Sequence, residues 1–157
     1  MFRFRQFSVS HSRSTMKVGT DGVLLGAWAE THSTQNILDI GTGCGLIALM
    51  AAQRNPTANV TAIDIDQASI DEATENFQAS PFAERLQALQ TDIQTFSTQP
   101  NAFQYDCILS NPPFFTETLL SPNPTRAAAR SVEGGLSFAA LIESAARLLA
   151  PGGSLQI

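Results

Sequence analysis

The sequence predicts an α/β protein, with a mostly parallel, doubly wound, Rossmann-like sheet behind a short N-terminal strand or hairpin. Two observations carry this reading. Apolar runs of strand length alternate with segments whose apolar residues recur at helical spacing. Three of the strand-like runs end on glycine, aspartate or an Asn-Pro pair, the places where ligands bind beyond strand ends in such sheets.

The elements follow in order. Phe2 and Phe4 alternate with Arg3 and Arg5, and Phe7 with Val9, which suits a short strand or hairpin. Gly19-Thr20-Asp21-Gly22 reads as a turn, with Asp21 capping a helix over 23–29. Residues 36–40 form a strand that runs into glycines. Residues 46–54 are apolar nearly all round, as in a buried helix, and Asn55-Pro56 stops it. A second strand spans 60–63. Asp66 caps a helix whose Ile70, Ala73 and Phe77 share one face. A weaker strand spans 86–90 and a strong one 105–109, closed by Ser110-Asn111-Pro112-Pro113. After a polar loop over 116–135, Ser137 caps a helix with Phe138, Leu141, Ile142, Ala145, Leu148 and Leu149 on its apolar side. Pro151-Gly152-Gly153 ends that helix, and 154–157 begins another strand. The chain stops inside this apolar run, so the sequence reads as a longer protein lacking its last strands. Residues 1–35 are expected to be a lead-in and 36–157 an incomplete core.

At 157 residues the chain has one domain's length, and 43% apolar against 15% charged residues excludes disorder. Its longest strongly apolar stretch falls far short of the ~20 residues of a membrane span. No charged-then-apolar segment opens the chain. Cys44 and Cys107 suit a reducing compartment and suggest neither a disulfide nor a metal site. A cytoplasmic protein without membrane or metal partners, taken as a monomer, is expected. The net charge of −5 argues against a generic nucleic-acid binder. However, Arg3, Arg5, Arg13 and Lys17 make the N-terminal arm basic, and Arg126 and Arg130 are alternative RNA contacts.

Asp39-Ile40-Gly41-Thr42-Gly43-Cys44-Gly45 leaves a strand and enters a helix. The glycines allow a tight turn and close approach of a ligand to backbone. The third glycine comes one position early for a dinucleotide loop, and an aspartate at that mouth would repel a pyrophosphate. It would welcome a ligand carrying an ammonium and a sulfonium. Asp64, at the next strand end, is placed to hold both ribose hydroxyls. Asp92, after the third strand, is placed to accept from an exocyclic amine or simply to cap the next helix. Three acids at three strand ends suit S-adenosylmethionine better than a nicotinamide cofactor. Cys44 reads as a packing residue rather than a nucleophile.

Asn111-Pro112-Pro113-Phe114 follows the fourth strand. Two prolines remove two N–H donors and leave carbonyl acceptors. Asn111 adds an amide oxygen, and Phe114 a face on which a base can stack. The chemistry this suits is methylation of an amine conjugated to a ring. Asn111 Oδ1 and the Pro112 carbonyl would take its two N–H bonds and free its lone pair.

These residues resemble the class I S-adenosylmethionine-dependent methyltransferases: Asp39-x-Gly41-x-Gly43-x-Gly45 is similar to their first motif, Asp64 to their ribose-binding acid and Asn111–Phe114 to their amine-methylating motif. The closer resemblance is to the bacterial tRNA1(Val) adenine-37 N6-methyltransferases. It rests on Phe4, Gln6 and Phe7, on His11-x-Arg13, and on the 16–28 run Met-Lys-Val-Gly-Thr-Asp-Gly-x-Leu-Leu-Gly-Ala-Trp. The resemblance implies tRNA as partner, and that Lys17 and Thr20 or Asp21 line the cofactor's amino-acid end. Phe114 stands where N6-adenine enzymes often carry Tyr, and the Phe form also occurs in rRNA guanine-N2 methyltransferases. That target, a glutamine-N5 methyltransferase and a non-catalytic cofactor-binding scaffold are the alternatives.

Overall fold

The computed structural model describes residues 1–15, 17–100, 102–112 and 136–157. Pro113, Phe114, Arg126 and Arg130 lie outside the described residues. β1 (Phe2–Arg3) and β2 (Ser8–Val9) pair antiparallel as the expected hairpin. The sheet proper comprises β3 (Asn36–Ile40), β4 (Asn59–Asp64), β5 (Leu86–Gln90), β6 (Tyr105–Ser110) and β7 (Leu149–Gln156), all parallel, in the order β5-β4-β3-β6-β7.

Both faces are covered, and the strands show it residue by residue. Ile37, Cys107 and Leu109 face a core shared with α2 (Leu46–Arg54) and with Ala73 and Phe77 of α3 (Gln67–Gln78). Their neighbours Leu38 and Ile108 face the opposite core, with Ile93 of α4 (Ile93–Ser97) and Leu141, Ala145 and Leu148 of α5 (Phe138–Leu148). This period-two division accounts for strands that are apolar throughout, since a sheet buried on both faces has no polar side. The expected caps form: Asp66 accepts from Ser69 N–H at 3.0 Å and Ser137 Oγ from Ala140 N–H at 3.2 Å.

Two boundaries differ from the sequence reading by more than one residue. Helix α1 spans Thr20–Trp28, with Gly19 as its N-cap and no side-chain cap. Asp21 therefore sits inside the first turn, where a negative charge suits the helix dipole. Strand β7 begins at Leu149, not Ser154, and Pro151-Gly152-Gly153 is an excursion within it: Tyr105 pairs with Leu149, but Cys107 pairs with Ser154. Gly152, at φ +82°, permits the bulge. Among the described residues no helix is long and apolar enough to cross a membrane.

Candidate active site

The C-terminal strand ends are stitched into a row by hydrogen bonds. Thr91 N–H donates to Asp64 O at 2.9 Å, joining β5 to β4. Gly41 and Thr42 N–H both donate to Ile63 O, at 2.9 and 3.0 Å, joining β3 to β4. Ser110 Oγ donates to Ile40 O at 3.0 Å, joining β6 to β3. Asp92, Asp64, the glycine loop and Asn111 therefore lie side by side along one edge of the sheet.

Asp64 Oδ2 accepts from Gly43 N–H at 2.9 Å, so the ribose candidate and the glycine loop are brought together. Gly41 and Gly43 have φ +70° and +55°, and a Cβ built on either meets open space. Gly45 is the opposite case: its φ is +81° and a Cβ would lie 2.5 Å from Phe77 Cε1. Loop and helix α3 touch there because the side chain is missing.

Asp39 was expected at the mouth of the loop. The structure buries it completely beneath the loop. Its Oδ2 accepts from Thr42 Oγ1 at 2.6 Å and Ala48 N–H at 3.2 Å, which ties the loop to the first turn of α2. Its Oδ1 is buried with no hydrogen-bond partner. Burial pushes this carboxyl up to about 7, against the bonds from Thr42 and Ala48 that draw it down. An orphaned buried acceptor beneath an open glycine cradle fits a cationic ligand seated on the loop.

Asp92 caps α4, Oδ1 accepting from Thr95 N–H at 2.8 Å, and remains exposed. Lys17 is exposed, and its Nζ donates to Ser12 O at 3.1 Å rather than to an acid. Arg13 forms a solvent-exposed ion pair with Glu75 on α3. Burial raises the Cys44 thiol, which agrees with a packing role. Asn111 is half-buried, and its Nδ2 lies 3.7 Å from where a Gly22 Cβ would stand, so α1 abuts it directly. An open cleft of about 810 Å³ starts at Asn111 and Pro112, passes Asp21, Leu24 and Trp28 of α1 and reaches Phe138. It lies on the Asn111 side of the row, not over the glycine loop. Among the described residues no cluster of His, Cys, Asp and Glu could hold a metal ion.

Sequence reasoning missed Glu72 and Asn76, which hold the segment around Ser10–Ser14 against α3. Their one signal was that two polar residues a helical turn apart flank the buried Ala73 and Phe77.

The sheet order is that of the Rossmann-like class I methyltransferases. A structure of an S-adenosylmethionine-dependent methyltransferase from Thiobacillus denitrificans, in complex with S-adenosyl-L-homocysteine, shares the fold. It matches with a TM-score of 0.61 at 19% identity, over 92% of this chain and 50% of that one. A family model described as "Methyltransferase small domain" matches residues 3–157, and the chain belongs to that family. The tRNA1(Val) (adenine(37)-N6)-methyltransferase of Parabacteroides distasonis is 49% identical over 156 residues, 99% of this chain and 65% of that protein. The protein of the same name from Aeromonas hydrophila is 46% identical over 157 residues, 99% of this chain and 64% of its own length. The chain thus spans about 65% of the length of these curated relatives.

Proposed function

We propose that this chain is the catalytic core of an S-adenosylmethionine-dependent N-methyltransferase, and that the full-length protein methylates the exocyclic N6 amine of adenine 37 in tRNA1(Val). The observation that carries the reading is identity of 45–49% across 99% of the chain to proteins named for that reaction. The adjacency of Asn111-Pro112 to the glycine loop supports it.

When bound, S-adenosylmethionine supplies an electrophilic methyl group on a sulfonium. Gly41 and Gly43 would pass beneath it, Asp39 Oδ1 would face its cationic end and Asp64 would hold its ribose in place of the Gly43 N–H. Lys17 and Thr20 or Asp21 would line its amino-acid end, and Asp92 would lie at its base. Asn111 Oδ1 and the Pro112 carbonyl accept the two N–H bonds of the substrate amine. This holds the nitrogen and takes its lone pair out of conjugation with the ring. Pro113 and Phe114 complete this tetrad, Phe114 as the surface on which the base stacks. The base enters from the cleft between α1 and Phe138.

Nucleoside mass spectrometry of tRNA from cells with and without the gene tests the substrate. N6-methyladenosine in tRNA1(Val) is expected to disappear on deletion and return on complementation. Retained N6-methyladenosine would sink the reading. Loss of N2-methylguanosine in rRNA or of methylglutamine in release factor would reassign it.

The buried Asp39 sets a pH dependence whose sign is fixed. Its folded pKa of about 7 lies above the ordinary 3.8, so the unliganded fold favours the neutral acid. Stability from that neutral form is present below the unfolded pKa and lost as pH rises through about 7. A cationic ligand reverses the preference by stabilising the carboxylate. Affinity for S-adenosylmethionine is therefore expected to rise with pH up to about 7 and then level off, and Asp39→Asn to flatten the profile. Calorimetry across that range checks it; a flat profile in the unmutated protein would place Asp39 away from the ligand's charge.

A further inference from the structure

We infer that Glu72 and Asn76 of α3 are positioning residues for the cofactor site: they clamp the strap at residues 10–14 beside the glycine loop and so set where Lys17, Thr20 and Asp21 stand. The inference rests on the cofactor reading above.

Glu72 is completely buried, and the strap supplies its hydrogen-bond donors. Ser12 N–H donates to it at 2.7 Å, Ser14 N–H at 2.8 Å and Arg13 N–H at 3.1 Å, with the Ser12 and Ser10 hydroxyls at 3.0 and 3.2 Å. Burial alone would push this carboxyl up, but the N–H groups of Ser14, Arg13 and Ser12 outweigh it and hold it at about 2. A carboxylate that collects successive backbone N–H groups fixes the register of a segment, which apolar packing does not.

Asn76, one turn further along α3, joins the strap to the loop. Its Oδ1 accepts from Ser10 N–H and its Nδ2 donates to Ser10 O, both at 2.8 Å. The same Nδ2 donates to Cys44 O, also at 2.8 Å, inside the glycine loop. A single amide therefore holds strap and loop in one arrangement. Beyond the clamp, Lys17 Nζ folds back onto Ser12 O, and α1 begins at Thr20. The first turn of α1 is wedged in turn: a Cβ on Gly22 would lie 3.2 Å from Leu46 Cδ2 and 3.7 Å from Asn111 Nδ2. Hydrogen bonds thus run from Glu72 and Asn76 to the strap and the glycine loop, and Lys17 joins back to the strap at Ser12.

If strap order favours the cofactor, the cofactor must favour strap order by the same factor. Calorimetry of the full-length protein with S-adenosylhomocysteine measures the first half, using E72Q and N76A. Each variant is expected to bind ~10-fold more weakly, with KM for S-adenosylmethionine rising in step and kcat at saturating cofactor within about threefold of the parent. Unchanged affinity, or a fall in kcat with KM unaltered, would overturn the clamp. Hydrogen exchange in the unmutated protein measures the second half and needs no variant to fold. The Arg13 and Ser14 amides are expected to slow further on saturation with S-adenosylhomocysteine, and an unaltered rate would also overturn it. Failure of the parent itself to bind would instead remove the cofactor reading.

Discussion

Replacing Asn111 with alanine in the full-length protein is expected to lower kcat by about 10²–10³-fold while leaving cofactor affinity within about twofold. An amine conjugated to a purine is a weak nucleophile, and its lone pair becomes available only as the nitrogen turns pyramidal. Acceptors aimed at its hydrogens are worth most in that geometry, so losing one costs kcat rather than binding. Asn111 is well placed for this role. It follows Ser110, whose hydroxyl fixes the end of β6 to Ile40 O, and α1 closes on its other side at Gly22. Pro112→Ala makes an internal control. It keeps the carbonyl acceptor while loosening the backbone and restoring one N–H, so its loss should be much smaller. Single-turnover kinetics beside calorimetry separate the two effects. An alanine variant at 111 that turns over like its parent would reduce the tetrad to a proline turn.

How far the sequence could be read depended on how local each cause is. The strands of the central sheet and the helices at 46–54 and 67–78 were legible because their apolar periods belong to short windows. The row of strand-end residues was legible too, since a parallel sheet brings Gly41, Asp64 and Asn111 to one edge wherever the helices lie. What escaped was set at a distance. Glu72 is some 60 residues from Ser12 in the chain, and no window contains both. The depth of Asp39 follows from the loop folding over it through Thr42 and Ala48, so an acid two positions before a glycine reads as exposed when it is buried. Leu149 carries the helical period forward, yet the pull of β6 makes it a strand residue, and the glycines meant as a terminator serve as a bulge. In each case tertiary contact overrode a correct local preference.

Gly45→Ala should be the most damaging small change in the loop, lowering stability by about 2–5 kcal/mol. The left-handed backbone costs an alanine about 1–2 kcal/mol, and forcing a methyl into filled space costs about 1–3 kcal/mol more. Both apply here, with φ at +81° and the new Cβ 2.5 Å from Phe77 Cε1 and 3.3 Å from Ala73 Cβ. Gly41→Ala is the matched control, since its φ is +70° but its Cβ meets nothing within 4 Å. The difference between the two isolates the contact from the backbone strain. Phe77 is nearly fully buried, so Phe77→Ala alone should cost about 3–5 kcal/mol. Yet it also makes the room that the alanine at 45 needs. The double variant is therefore expected to lose at least ~1 kcal/mol less than the two singles added together. Strict additivity in chemical denaturation would mean that loop and helix α3 relax independently. The close packing of Gly45 on α3, which holds the start of α2 beside the clamp residues, would then contribute nothing to the shape of the cofactor loop.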